Sequence, residues 1–111
     1  MINYSEKICE ACLPDADKAS DPMVQNFLEE NASWDLIKDN DIQKLSKVFT
    51  FANFIEAQNF TNMVANMAEK EGHHPDIWFG WGYAKIKIFT HAIKGLAESD
   101  FILAAKIDKI N

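Results

Sequence analysis

Residues 69–82, EKEGHHPDIWFGWG, carry two adjacent histidines, His73 and His74, and the remaining histidine of the chain follows at position 91. Imidazole changes protonation near neutral pH, so a small shift puts it in either form. If two or three such rings converge, one can donate a proton while another accepts one. Carboxylates at Glu69, Asp76 and Asp100 are placed in sequence to orient these rings or to hold a donor edge of a substrate. Trp78, Phe79, Trp81 and Tyr83 crowd the same segment and offer walls for a flat ligand. A plainer reading stands beside each of these. The histidine pair would then be polar loop residues that favour a helix C-terminus when protonated, the carboxylates solvated charges, and the aromatics core or interface.

Other chemistries fit less well. Three histidines can bind catalytic zinc, but successive residues of an extended chain point to opposite sides. His73 and His74 would therefore share an ion only if the loop bends sharply, and no metal is expected. Cys9 and Cys12 form a Cys-x-x-Cys pair, half of a closed zinc site, with no second pair to complete it. They read as two reduced thiols in an N-terminal arm. No serine or cysteine is spaced to suggest a nucleophilic triad, and the Gly-rich turn of a dinucleotide site is missing.

The chain has 111 residues, a length suited to one core, and is read as a single domain, 1–111, with an N-terminal arm over 1–19. Seventeen acidic against eleven basic residues give a formal net charge of −6. Without a basic stripe, nucleic-acid binding is disfavoured. Apolar runs such as IWFGWGYA are far shorter than the roughly 20 residues of a membrane span, and MINYSEKICEACL does not resemble a signal peptide. The expectation is a soluble cytoplasmic protein without membrane association.

These residues need elements to position them. Asp21 followed by Pro22 suggests an N-cap and first turn, opening a short helix that ends near Asn31. The polar turn KDND separates two β-type segments, the second with Leu45, Lys47, Phe49 and Phe51 alternating against Ser46, Val48 and Thr50. From about Asn53 to Glu71, Phe60, Met63, Val64, Met67 and Ala68 fall on one helical face. Gly72 is suited to close that helix in the left-handed conformation, and Pro75 prevents its resumption. A second hairpin follows, turning near Gly82, with Lys85 and Lys87 alternating against Ile86 and Ile88. Ser99 or Asp100 then offers an N-cap for a last helix bearing Phe101, Ile102, Ala105 and Ile107. The order α-β-β-α-β-β-α implies an α+β fold of two layers: a four-stranded antiparallel sheet with helices on one face.

The spacing of the site residues resembles the pterin-4a-carbinolamine dehydratases, whose signature is an acid, three residues, His-His-Pro, five or six residues, an aromatic, nine residues, a histidine and a downstream Asp. Glu69, His73-His74-Pro75, Trp81, His91 and Asp100 fit every position, and HHPDIWFGWG, THAIKGL and SDFILAAKID are similar to bacterial members. The resemblance implies a dehydratase that removes water from 4a-hydroxytetrahydropterin to give quinonoid dihydropterin, recycling tetrahydropterin for an aromatic amino acid hydroxylase such as phenylalanine hydroxylase. It implies His73, His74 and His91 as catalytic residues, and Glu69, Pro75, Asp76, Trp81 and Asp100 around the substrate, Glu69 and Asp100 in orienting roles. No cofactor is implied, since the pterin is the substrate. Family members form homodimers or homotetramers. The alternative is a non-catalytic binding module, since animal members also serve as dimerisation cofactors for a transcription factor.

Overall fold

The computed structural model describes residues 3–7 and 17–110; Cys9 and Cys12 lie outside the described residues. The element order is α1 (Asp21–Glu30), β1 (Asp35–Asp39), β2 (Ile42–Thr50), α2 (Phe54–Glu71), β3 (Asp76–Gly80), β4 (Tyr83–Ile88) and α3 (Glu98–Ile110), with short 3₁₀ turns at Tyr4–Glu6 and His91–Ile93. All strand pairs are antiparallel, in the order β1-β2-β4-β3. The expected α+β two-layer arrangement is therefore the observed one.

Each element follows from local chemistry. Ser20 caps α1, its hydroxyl accepting the Met23 N–H at 3.3 Å. The expected cap, Asp21, lies one residue too far along. Asp21 is instead the acid of the first turn, where it favours the positive end of the helix dipole. The β1–β2 connection is two residues, Asn40 and Asp41, both left-handed with φ of 52° and 63°. Asn and Asp tolerate that conformation, and two such residues match the twist of a tight hairpin.

In β2, Leu45 and Phe49 are buried while Val48 and Thr50 face out, as the alternation implies. Lys47 shares the buried side, but its ammonium lies over the Phe49 ring, 4.6 Å from the centroid, and reaches Asp108 of α3 at 2.7 Å. The buried seam of α2 is Ala57, Phe60, Val64 and Ala68, with Met67 partly buried against the core. Met63, expected on that face, is 48% exposed. The helix buries a narrower line than its apolar residues define. In the second hairpin Gly82 has φ 81°, and a Cβ there would meet the Phe51 carbonyl at 3.2 Å. Glycine lets the turn dock on the chain leaving β2, where the Phe51 N–H donates to the Gly82 carbonyl at 2.8 Å.

α3 is buried over Phe101, Ile102, Leu103, Ala104 and Ile107, so it is covered on more than one stripe. Phe101 stacks on Phe27 of α1 with ring centroids 4.6 Å apart, and Tyr4 packs against both rings. The N-terminal arm is thus tied to the core at Tyr4, and again where the Ala19 N–H donates to the Leu96 carbonyl at 2.7 Å. Burial, with Glu98 and Glu30 adding repulsion, raises the Tyr4 phenol above its usual pKa and keeps it neutral.

The α3 start differs from expectation. Neither Ser99 nor Asp100 is the N-cap: the helix begins at Glu98, and Asp100 reaches back to accept the Ala97 N–H at 2.8 Å. This is the returning half of a capping box, satisfying a donor at the helix entrance. Among the described residues no helix is long and apolar enough to cross a membrane.

Candidate active site

The antiparallel order brings the end of β1, the start of β2, the end of β4 and the start of β3 to one end of the sheet. His73, His74 and His91 all belong to loops at that end. What separates their roles is how α2 stops. Gly72 has φ 68°, its N–H donates to the Glu69 carbonyl at 3.3 Å, and the His73 N–H donates to the Ala68 carbonyl at 3.2 Å. This paired closure is the Schellman arrangement. It satisfies two of the carbonyls that a helix end leaves open.

After that turn the two imidazoles part. His73 has no solvent exposure, and its Nε2 lies 2.7 Å from Asp100 Oδ1. Asp100 is equally buried, and its second oxygen accepts from Thr90 Oγ1 and from the Ala97 N–H, each at 2.8 Å. Oδ2 thus accepts two hydrogen bonds, which leaves Oδ1 for His73 Nε2. Ser99 Oγ lies 3.4 Å from Thr90 Oγ1 and extends the group. No buried side-chain polar atom among the described residues lacks a partner.

His74 faces outward, its side chain 62% exposed, with Nε2 2.8 Å from Glu69 Oε1. Donation from Nε2–H to the carboxylate makes Nδ1 the acceptor of the neutral ring. Glu69 thus serves twice, its backbone closing the helix and its side chain fixing His74. His91 is also exposed and opens the 3₁₀ turn directly after Thr90. That turn is clamped by Thr90 and Gly95, whose backbones bond reciprocally at 2.9 and 3.4 Å. The His91 ring lies 4.2 Å from the Phe89 ring, centroid to centroid.

The outward histidines therefore each adjoin a residue held by one carboxylate: His74 follows His73, His91 follows Thr90, and Asp100 binds both anchors. Sequence reasoning singled out Asp100 for the site and Ser99 only as a helix cap, but not Thr90 or the Ala97 N–H. Thr90 carries no periodic signal; only its place beside His91 pointed to it.

The remaining expected residues divide. Pro75 joins His74 to β3, and Asp76 opens that strand opposite Lys87. Trp81 lies elsewhere. It is 72% exposed at the β3–β4 tip, and β3 carries the chain away from the histidines over Asp76–Gly80. At about 3.3 Å per residue this puts Trp81 at the far end of the sheet. The other aromatics do not wall the pair either: Trp78 lies beneath the ammonium groups of Lys85 and Lys87, and Phe79 packs on Phe54. At the histidine end, Asp39 is held below the ordinary carboxylate range by its hydrogen bond from Lys87, then by that from Lys44. The described residues contain no cluster of three or more His, Cys, Asp or Glu able to hold a metal ion.

Residues 17–110 match the family model described as Pterin 4 alpha carbinolamine dehydratase. A Marinobacter nauticus protein, provisionally named as a pterin-4-alpha-carbinolamine dehydratase, is 44% identical over 110 residues, covering 99% of each chain. An Arabidopsis thaliana protein named pterin-4-alpha-carbinolamine dehydratase 2, mitochondrial, is 43% identical over 99% of this chain and 60% of its own. Among solved structures, a transcriptional coactivator/pterin dehydratase from Brucella melitensis superposes with a TM-score of 0.76 at 24% identity, covering 85% of this chain and 98% of that one. That likeness is one of fold. A pterin dehydratase-like protein described as a RuBisCO assembly factor in the alpha-carboxysome superposes with a TM-score of 0.60 at 29% identity, covering 70% of this chain and 88% of that one.

Proposed function

The chain belongs to the pterin 4 alpha carbinolamine dehydratase family, and from that premise we propose that it dehydrates 4a-hydroxytetrahydropterin to quinonoid dihydropterin by histidine acid–base catalysis. The observation that carries this reading is the unlike setting of the paired histidines, His73 sealed against Asp100 and His74 presented to solvent beside Glu69.

Loss of water from a carbinolamine needs little machinery. A proton is delivered to the 4a-hydroxyl, the C4a–O bond breaks as water leaves, and the N5–H bond supplies the electrons of the new C=N bond as its proton departs. One donor and one acceptor on a flat bicyclic ring complete the balance. His74 and His91 are the exposed members of the histidine set and exchange those protons; His73 is the buried member, which holds the loop through Asp100. Glu69 fixes the His74 ring. Pro75 and Asp76 border the same loop. Trp81 joins the substrate set only by family resemblance, given its distance along β3.

The reaction requires no cofactor, since the pterin is itself the substrate. Its biological setting is the recycling of tetrahydropterin for an aromatic amino acid hydroxylase in the cytoplasm, by a homodimer or homotetramer. A second reading, a non-catalytic binding module, draws on the exposed Val48, Trp78 and Tyr83 of the sheet, a kind of surface that marks partner sites.

Stopped-flow absorbance of 4a-hydroxytetrahydropterin decay decides between them, with metal-chelated native protein beside a His74→Ala/His91→Ala variant that leaves buried His73 in place. Fast decay with the native chain and near-background decay with the variant supports catalysis. Background decay with both leaves the binding module.

A further inference from the structure

The histidine end of the sheet carries a second feature that the dehydration does not use. A cavity of about 220 Å³ opens between the 17–19 segment, the β1–β2 turn and the chain after His91, lined among others by Lys18, Lys38, Gln43, Lys94 and Gly95. In a chain of net charge −6, three lysines line one small space. Its lining holds one acid, Asp41, which forms no ion pair with them.

The lysines here differ from most of those elsewhere. Lys7, Lys44, Lys47, Lys87 and Lys106 each pair with a carboxylate. Lys18, Lys38 and Lys94 form no ion pair among the described residues, although acids outnumber bases. Two backbone features bring them together. Ala19 is bonded to Leu96, and a Cβ on Gly95 would meet the Lys18 chain at 3.3 Å, so Lys18 lies along the glycine. Lys94 takes a left-handed φ of 49°, which Gly or Asn adopts more readily. A lysine in this conformation costs backbone energy, and such strain is often found at binding sites.

We propose that this cavity binds a phosphate group. Three point charges against one acid suit a dianion better than a single carboxylate, and lysine is a common phosphate partner of this kind. Because Lys94 closes the turn that His91 opens, the phosphate has two sources: free inorganic phosphate, or the side chain of the pterin substrate. The second source rests on the dehydratase reading; the first does not.

The test uses the full chain and a Lys18→Gln/Lys94→Gln variant. Amide NMR shifts are followed on adding inorganic phosphate, against sodium chloride at matched ionic strength. Saturable shifts are expected at Ala19, Lys94, Gly95 and Leu96, with binding weakened roughly three- to tenfold in the variant, in line with exposed ion pairs. In parallel, dehydration is measured with two 4a-hydroxytetrahydropterins, one with a neutral side chain and one ending in a monophosphate. A KM roughly three- to tenfold lower for the phosphorylated substrate, lost in the variant with kcat unchanged, assigns the site to the substrate. Phosphate-specific shifts with equal KM values assign it to free phosphate. Shifts no different from chloride together with equal KM values overturn the proposal. If neither pterin is dehydrated, the proposed function fails and the phosphate titration alone decides the cavity.

Discussion

The side chains of His73 and Asp100, separated by 27 residues and both without solvent exposure, meet at 2.7 Å. Asp100 also holds Thr90 and the start of α3, so one carboxylate ties three segments at the end of the sheet where the exposed histidines sit. A buried carboxyl group needs hydrogen-bond partners for its oxygens, and three are present here.

Replacing Asp100 with Asn leaves one of those partners facing an NH₂ group. Asp100→Asn is expected to destabilise the fold by about 1–3 kcal/mol, the usual cost of an unsatisfied buried partner. For a domain of this size each kcal/mol lowers Tm by roughly 4–8 °C. Thermal unfolding by circular dichroism reads this directly, and an unchanged Tm would show that the network contributes nothing.

The Glu69–His74 pair is exposed and should behave in the opposite way. Glu69→Gln is expected to shift stability by no more than about 0.5 kcal/mol, as surface ion pairs do. His74→Ala should also leave the fold intact while lowering kcat by about 10²–10⁴-fold, the range for general acid–base groups. Full turnover in His74→Ala would remove that residue from the mechanism.

Gly72 closes α2 with φ 68°, and a Cβ there would meet no atom within 4 Å, so the cost of Ala at this position is conformational alone. Gly72→Ala should destabilise by about 1–2 kcal/mol, and Gly72→Asn by less, since Asn accepts the left-handed region. Urea midpoints at unchanged m-value test the order.

Asp39 should titrate below its ordinary value of 3.8, because Lys87 and Lys44 donate to the charged form. Its folded pKa is the lower one, so the stabilisation is full above the ordinary carboxylate value and is lost as pH falls through the folded value. Lys87→Gln is expected to move the Asp39 carbonyl-carbon titration back toward 3.8, leaving neutral pH little affected. A midpoint that stays put would show that Lys87 is not the cause.

Local signals gave most of the elements. Alternation marked β2 and β4, helical spacing marked α2, Gly82 marked a turn, and Gly72 with Pro75 marked the end of α2; these depend on chemistry within a few residues. Errors fell where neighbours in space decide. The α1 cap is an exception, a local choice in which Ser20 displaced Asp21 because its hydroxyl meets the Met23 N–H three residues on. Met63 turned outward because α2 seats on the sheet along Ala57, Phe60, Val64 and Ala68. Tyr4, in a stretch read as an arm, is buried because Phe27 and Phe101 leave room for a third ring.

The sequence by itself determined the candidate site residues: a histidine pair behind a helix-ending glycine, a third histidine, and acids at the spacing of the family signature. Only the tertiary structure decided their settings, His73 buried and His74 exposed. Adjacent residues in a chain carry no mark of which will be buried. That follows from the Schellman closure, which turns His73 inward, and from packing of α3, which brings Asp100 to meet it. The same strand geometry that gathers the histidines at one end of the sheet carries Trp81 to the other, a separation that motif spacing does not encode.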